Sequence, residues 1–271
     1  MFCPSATSDK HNMTSRRFYA PGETFSPDGR VVTLNPDETR HLRDVLRLRA
    51  GDEIRLFDGA GKEFQGRIEA IGRHSAKVSL IAQVEPASAE SALDLTLAVG
   101  LLKGEKFDLI IQKATELGVT RIIPMLTSRA DVRLRDNDDG TRKRNRWQRI
   151  ALEATKQSGR ACLMKVAPPI AFADLVMVAE ARVASGDAWA PVRLMFAERA
   201  GTAFSQLISD SLNPKQVTAL IGPEGGWTDE EIDQARAAGW KIITLAGRTL
   251  RAETAAVAIA TLLQHRFGDL H

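Results

Sequence analysis

Cysteine is scarce in this chain of 271 residues, which contains only Cys3 and Cys162. Two cysteines allow at most one disulfide, and no cysteine or histidine spacing is that of a zinc site. So little cysteine also fits a reducing compartment. We therefore expect a cytoplasmic protein that holds no metal.

Long hydrophobic runs are absent as well. The longest apolar stretch, Ala255 to Leu263, is far too short to span a bilayer. The polar segment from Met1 to Met13 lacks the apolar core of a signal peptide. We expect a soluble protein that makes no contact with a membrane.

Motifs of several enzyme classes are missing too. The chain has no G-x-S-x-G nucleophile elbow, no H-E-x-x-H zinc motif, no dinucleotide-binding G-x-G-x-x-G and no phosphate-binding G-x-x-x-x-G-K-[ST]. Its formal net charge is +3. This small positive excess is a weak indication of a polyanionic partner, so the distribution of the charges matters more than their sum.

Changes of pattern along the chain predict four parts. Residues 1–14 are small and polar, which indicates a disordered tail. Residues 15–85 contain short strands separated by turns and indicate a small β-barrel domain. Residues 86–92 have no pattern and are the predicted linker, after which residues 93–271 alternate between strands and helices. Such alternation predicts an α/β domain with a mostly parallel sheet covered on both faces.

Strands and helices can be placed within both predicted domains from hydrophobic periodicity. In the first domain we predict a helix over Pro36–Leu48 and strands over Arg30–Leu34, Asp52–Phe57, Glu63–Ile71 and Ala76–Ile81. In the second we predict strands over Leu93–Leu101, Arg121–Leu126, Val192–Ala197, Val217–Gly222 and Trp240–Leu245. The predicted helices there are Glu105–Leu117, Trp147–Gln157, Phe172–Ala184, Asp229–Ala238 and Thr254–Phe267.

A glycine-rich turn follows the predicted strand Val217–Gly222 and precedes a helix. Thr228 and Glu231 have the spacing of a capping box at the start of that helix. Glycines let a backbone approach a ligand closely, and ligands bind at such strand ends in parallel sheets. An ordinary tight turn explains the segment equally well. The phosphate-binding patterns are absent, so a cofactor that needs little phosphate contact is favoured.

A second loop, residues 245–254, also lies between a strand and a helix. It carries Arg248, Arg251 and Glu253, more charge than a turn requires. The alternative is a solvated loop in which Arg251 and Glu253 form a surface pair of little energetic value.

Two segments are strongly basic. At helical spacing Leu42, Val45 and Leu46 should pack inward, while a flank of arginines able to neutralise phosphates is formed by Arg40, Arg43 and Arg47. The second segment, residues 142–149, places cations at a predicted helix start, where they oppose the helix dipole. A solvated face is the alternative for the first segment, whereas the second indicates a contact with a polyanion.

Seven segments, taken in order, resemble the RsmE family of 16S ribosomal RNA (uracil-N3)-methyltransferases, part of the SPOUT superfamily. They are Arg16–Phe18, Arg40–Arg47, Lys103–Lys106, Gln112–Gly118, Glu153–Arg160, Ile221–Gly226 and Leu250–Ala255. The resemblance covers nearly the whole chain from Arg16 onward. It implies a PUA-like barrel followed by a SPOUT-type methyltransferase domain with a C-terminal trefoil knot. It also implies a homodimer, with S-adenosylmethionine as cofactor and 16S rRNA in small ribosomal subunit particles as substrate.

The resemblance, the chemistry of the reaction and the basic segments together give candidate residues. The cofactor-binding candidates are Ala197, Glu198, Ile221, Gly222, Glu224, Gly225, Leu245, Ala246, Gly247 and Leu250. Arg251 is expected to stabilise charge on the uracil imide, and Glu253 to orient Arg251 or accept the proton. The expected RNA-binding residues are Arg16, Arg17, Arg40, Arg43, Arg47, Arg144 and Arg146.

Two rival functions stay open at this point. Another SPOUT enzyme would methylate a ribose 2′-hydroxyl or a tRNA, and the modified nucleoside distinguishes that case. A ribosome-assembly factor that binds RNA without catalysis would not bind the cofactor.

Overall fold

The computed structural model describes residues 16–177, 192–209, 214–245 and 247–270. The predicted tail and the second half of the predicted helix Phe172–Ala184 lie outside these residues. The described chain forms two compact units. The first combines the residues up to Glu90 with Leu152–Leu163, and the second contains Ser91–Ala151 and the residues from Met164 onward.

The first unit contains a five-stranded sheet with strand order β1-β3-β4-β5-β2. β1 runs parallel to β3, and the other pairs are antiparallel. Phe18, Leu42 and Ile54 are fully buried in the core on which the sheet packs. The four predicted strands are confirmed within three residues at each end, and β1 was not predicted. The bounds are β1 Arg17–Tyr19, β2 Val31–Leu34, β3 Glu53–Phe57, β4 Glu63–Ile71 and β5 Ala76–Val84.

The helix predicted over Pro36–Leu48 is shorter and less regular than expected. Helix α1 spans Pro36–Arg40, and one π-helical turn, His41–Val45, follows it. Arg47 then has φ of 53°, which ends the helical path. Because the π turn adds a residue to the helical period, Val45 points to solvent and is 66% exposed rather than packed inward. The arginines at 40, 43 and 47 therefore do not share one helical flank.

The second unit contains an eight-stranded sheet among the described residues. Its order is β11-β13-β10-β12-β6-β7-β8, with β9 also paired to β7, and every pair is parallel. The five predicted strands and their mostly parallel arrangement are confirmed; three two-residue strands were not predicted. The bounds are β6 Asp94–Gly100, β7 Arg121–Leu126, β8 Lys165–Val166, β9 Ile170–Ala171, β10 Val192–Phe196, β11 Thr202–Ala203, β12 Gln216–Ile221 and β13 Lys241–Thr244.

Helices connect these strands. The predicted capping box is present at the start of the helix Asp229–Ala237. The Thr228 hydroxyl accepts a hydrogen bond from the Glu231 backbone N–H, and the Glu231 carboxylate accepts one from the Thr228 backbone N–H. Residues 172–177 are also helical. The helix Lys106–Glu116 packs against the helix Ala252–Phe267. None of the helices in the described ranges is long and apolar enough to cross a membrane. The bounds are α2 Lys106–Glu116, α3 Asn137–Ser158, α4 Phe204–Ser209, α5 Asp229–Ala237 and α6 Ala252–Phe267.

Helix α3 begins ten residues earlier than predicted. It starts at Asn137 instead of Trp147, and its first turn contains Asp138 and Asp139. Those carboxylates interact favourably with the helix dipole. The expectation that basic residues 142–149 stand at the helix start and oppose the dipole is therefore wrong. The trefoil knot stays a prediction.

Candidate functional site

Three neighbouring strands of the second unit end at the same edge of its sheet. β10 pairs with both β12 and β13, so Phe196 lies opposite Ile221 and Ile243. The strands are parallel, so the loops that leave their carboxyl ends lie side by side. This is the edge at which open α/β sheets bind ligands.

A cavity of about 410 Å³ lies at this edge. Its volume is in the range of pockets that enclose a small organic molecule. Both predicted loops contribute to it, together with the start of α6. The lining residues are Lys106, Phe196, Ala197, Glu198, Ile221, Gly222, Pro223, Glu224, Leu245, Gly247, Arg248, Thr249, Leu250, Arg251, Ala252, Ala255 and Ile259.

Most of the predicted cofactor-binding residues meet in this cavity. Gly225 is not among its lining residues, and Ala246 lies outside the described residues. The predicted candidates that do line it are Ala197, Glu198, Ile221, Gly222, Glu224, Leu245, Gly247 and Leu250.

The glycine-rich loop is held close to the end of β10. The buried Trp227 indole donates from Nε1 to the carbonyl oxygen of Phe196 at 2.8 Å. A Cβ at Gly222 would stand 3.1 Å from that Nε1, and a Cβ at Gly226, where φ is 66°, would stand 3.1 Å from the Glu198 carboxylate. The glycines therefore let the loop pack on Trp227 and Glu198 while the backbone at Gly222 forms part of the cavity wall.

Gly225 is needed for a different reason. A Cβ there would lie 2.9 Å from the Arg129 Cβ and 3.0 Å from its carbonyl oxygen. The Arg129 guanidinium also donates to the carbonyl oxygens of Gly225 and Trp227, at 3.3 and 3.1 Å. Packing against Arg129 therefore requires a glycine here, and close approach of Gly225 to a ligand stays a prediction.

The charged residues of the cavity are Lys106, Glu198, Glu224, Arg248 and Arg251. Lys106 Nζ and Glu224 Oε1 form an ion pair of 3.0 Å. Arg251 is exposed at the N-cap of α6, where its side chain makes no capping hydrogen bond. The cavity thus combines apolar and backbone surface with both signs of charge.

Glu253 is placed differently from the expectation that it orients Arg251. Within the described part of the chain the two side chains form no ion pair or hydrogen bond, and Glu253 does not line the cavity. Its Oε2 is buried and has no hydrogen-bond partner among the described residues. Neither the orienting role nor the alternative of an Arg251–Glu253 surface pair is supported by contacts.

Several lining residues were not among the predicted site residues. Ala255 and Ile259 lie four apart on α6 and so share one of its faces, a spacing visible in the sequence. Lys106 belongs to a segment that carries the family resemblance, but only the strand order places it beside the glycine-rich loop. The missed residues are Lys106, Phe196, Pro223, Arg248, Thr249, Ala252, Ala255 and Ile259.

Arg17 does not have the RNA-binding role that was expected. Its side chain is 1% exposed, and its guanidinium pairs with the Glu63 carboxylate at 2.8 Å. It also donates to the backbone carbonyl oxygens of Thr155, Lys156 and Arg160. All five guanidinium donors are used in these contacts. The prediction for Arg17 is therefore wrong, because no donor is left for a phosphate.

The other arginines predicted in the first unit reach its surface. Arg40 pairs with Asp37, and Arg43 pairs with Asp44 and donates to the Arg73 carbonyl oxygen at 3.1 Å. These exposed pairs contribute little to stability, so a phosphate can replace the carboxylate partners. Of the remaining two, Arg47 is exposed and Arg16 is partly buried.

Two predicted RNA-binding arginines belong to α3 in the second unit. Arg144 donates from Nε to the Val166 carbonyl oxygen at 3.0 Å. Arg146 pairs with Asp108 on α2 and remains 57% exposed. Both connect α3 to neighbouring elements, and both have surface left for a further contact.

No metal-binding cluster accompanies the cavity. The described ranges contain no group of three or more histidine, cysteine, aspartate or glutamate side chains that could hold an ion.

Similarity to known proteins agrees with this architecture. The RNA methyltransferase domain family matches residues 89–264, and the RNA methyltransferase PUA domain family matches residues 34–81. The ribosomal RNA small subunit methyltransferase E of Synechocystis sp. is 36% identical, over 94% of this chain and 79% of its own length. That of Rickettsia conorii is 32% identical, over 86% of this chain and 88% of its own length.

Two solved structures are similar over nearly their full lengths. A methyltransferase of Legionella pneumophila in complex with the bound cofactor SAM is 31% identical, with a TM-score of 0.81 over 94% of this chain and 99% of that one. The Neisseria gonorrhoeae ribosomal RNA small subunit methyltransferase E bound to S-adenosyl methionine is 32% identical, with a TM-score of 0.80 over the same shares. The predicted fold, a PUA-like domain followed by a SPOUT-type α/β methyltransferase domain, is confirmed. The chain belongs to the RsmE family, the ribosomal RNA small subunit methyltransferases E.

Proposed function

We propose that this protein transfers the methyl group of S-adenosylmethionine to N3 of a uridine in 16S rRNA. The observation that carries the proposal is the cavity at the carboxyl ends of β10, β12 and β13, in a chain of the RsmE family. Relatives with this fold have been solved with the same cofactor bound.

The cavity residues fit this cofactor. The side chains of Leu245, Leu250 and Ile259 offer apolar surface for an adenine ring and a thioether chain. Glu198 and Glu224 supply acceptors for hydroxyl and ammonium groups, and their negative charge suits a sulfonium ligand. The absence of a phosphate-binding loop agrees, because the cofactor carries no phosphate. When bound, it supplies an electrophilic methyl group, so the reaction requires no metal.

The protein must align the uracil with that methyl group and stabilise the charge that develops as N3 loses its proton. We assign charge stabilisation to Arg251, which lines the cavity and is free of intramolecular ion pairs among the described residues. We assign proton acceptance, rather than the orienting role, to Glu253, whose buried Oε2 has no described partner. Glu253 does not line the cavity, so the proton would reach it through a bound water molecule. The target base must leave its stack to reach these groups.

We assign RNA binding to the PUA-like domain, residues 15–85, through the exposed Arg40 and Arg47 and the partly buried Arg43. Arg144 and Arg146 on α3 would add contacts from the methyltransferase domain, residues 93–271. The exposed guanidinium groups can replace counterions along a phosphate backbone.

We further propose that the protein acts as a homodimer on small ribosomal subunit particles in the cytoplasm. Light scattering tests the dimer, and a fully active monomer at every concentration contradicts it.

The decisive experiment is mass spectrometry of nucleosides from 16S rRNA of cells with and without this protein. We expect 3-methyluridine to disappear with the gene and to return with purified protein and S-adenosylmethionine. A lost ribose methylation or a tRNA modification identifies a different SPOUT activity. Unchanged nucleosides together with no cofactor binding indicate a non-catalytic assembly factor.

A further inference from the structure

Lys106 and Glu224 form an ion pair inside the cofactor cavity. Lys106 is the first residue of α2, and Glu224 lies in the loop that follows β12. Nζ and Oε1 are 3.0 Å apart, the side chains are 41% and 27% exposed, and both residues line the cavity. The pair therefore links the start of a helix to the glycine-rich loop.

Fold stability does not account for a lysine at this position. The first turn of a helix carries the positive end of its dipole, which disfavours a cation. An ion pair as exposed as this one contributes little to the free energy of unfolding. The Lys106–Glu224 ion pair instead restricts the positions that the Glu224 carboxylate can take.

The Glu224 carboxylate keeps one oxygen free. Lys106 occupies Oε1, whereas Oε2 accepts no hydrogen bond from any described residue. Glu198 brings a second carboxylate to the same cavity. Two carboxylates in one cavity repel each other, and the ammonium group of Lys106 offsets that repulsion beside Glu224.

We propose that Lys106 is a positioning residue for the cofactor, which acts by holding Glu224 so that Oε2 accepts a hydrogen bond from a hydroxyl or ammonium group of S-adenosylmethionine. This inference rests on the proposed function. In this role Lys106 itself makes no contact with the cofactor.

A double-mutant cycle measured by calorimetric titration of S-adenosylmethionine into the full chain tests this. Lys106→Met and Glu224→Gln should each weaken binding about tenfold, which is about 1.4 kcal/mol. The double variant should bind no more weakly than the weaker single variant, because both changes remove the same interaction. Lys106→Arg should restore most of the affinity, since a guanidinium can also pair with the carboxylate. Melting temperatures should stay at the wild-type value.

Lys113→Met is the matched control. Lys113 belongs to the same helix and pairs with Glu116 at 2.8 Å, with side chains 39% and 26% exposed, but neither residue lines the cavity. This variant should bind the cofactor like the wild type. Wild-type affinity of Lys106→Met, or losses that add in the double variant, would overturn the positioning role while the proposed function stands. A wild-type chain that binds no S-adenosylmethionine would overturn both.

Discussion

Arg17 and Glu63 form a fully buried ion pair, with Nη2 and Oε2 2.8 Å apart and side chains 1% and 0% exposed. Arg55 adds a second, longer contact of 3.4 Å to Glu63. Arg17 also donates to three carbonyl oxygens of residues 155–160, so within the first unit it holds the end of α3 against β1. A residue that the sequence suggested as an RNA contact is thus a structural one.

We expect Arg17→Ala to destabilise the protein by about 3–5 kcal/mol, because it leaves the Glu63 carboxylate buried with its main partner removed. Chemical denaturation measures this change in the free energy of unfolding. Arg67→Ala is the control: Arg67 pairs with Glu53 at the same distance, 2.8 Å, but is 57% exposed. That substitution should change stability by about 1 kcal/mol or less. Equal effects of the two substitutions would contradict the structural role.

Gly222→Val should abolish binding of S-adenosylmethionine. A side chain at this position enters the space beside the Trp227 indole and moves the cavity wall. Gly225→Val should also weaken binding, indirectly, because it displaces the loop from Arg129. Calorimetry measures both. The control is Gly104→Ala. A Cβ at Gly104 would meet no atom within 4 Å, although the backbone φ of 65° at this residue adds some strain. Cofactor affinity at the wild-type level in both valine variants would place the site elsewhere.

Arg251→Ala should abolish turnover while cofactor and RNA affinities stay near those of the wild type. Its proposed interaction is with charge that is present only while the base reacts. Single-turnover methylation of small-subunit particles, beside binding titrations, measures the difference. Normal turnover would mean that another group stabilises the imide charge.

Replacing both Arg43 and Arg47 by alanine should weaken RNA binding and make it less dependent on salt. Each lost phosphate contact should reduce the slope of log affinity against log salt by about 0.7 to 0.9. Cofactor affinity should not change, because neither arginine lines the cavity. The double variant of Arg236→Ala and Lys113→Ala controls for net charge, because it also removes two surface cations, paired with Asp233 and Glu116. A slope equal to that of the wild type would mean that these arginines are solvated and do not contact phosphate.

Tyr19 is the only tyrosine of the chain, so its phenol can be titrated without interference. Burial raises its pKa above the usual value of 10.0, and the nearby charges of Glu23 and Asp58 raise it further. The folded protein therefore keeps this proton at a pH where the unfolded chain loses it. The stability linked to this group is fully present below about pH 10 and is lost as pH rises through the folded pKa.

Phenolate absorbance against pH, in buffer and in urea, measures the Tyr19 shift. The folded midpoint should lie above the unfolded one, and Glu23→Gln should bring the two closer. Coincident midpoints would contradict the assigned environment.

Much of the architecture follows from local sequence. Hydrophobic periodicity located the five longer strands of the second unit, because a buried parallel strand must be apolar along its length. Thr228 and Glu231 predicted a helix start, because a capping box depends only on residues three apart. Local pattern was less reliable at Pro36–Leu48, where the π turn shifts the helical period, and at the start of α3.

The composition of the site depends on tertiary structure. The order β13-β10-β12-β6 brings together loops that are far apart in sequence. The pairing of β6 with β12 places Lys106, which follows β6, beside Glu224, which follows β12. The same holds for Arg17, since no local pattern distinguishes an arginine that binds phosphate from one whose five donors are used inside the protein. Sequence by itself determined the family, the elements and the glycine-rich loop, because these depend on neighbouring residues. Tertiary structure decided which charges face the cavity and which are buried, because that depends on partners as distant as the 143 residues between Arg17 and Arg160.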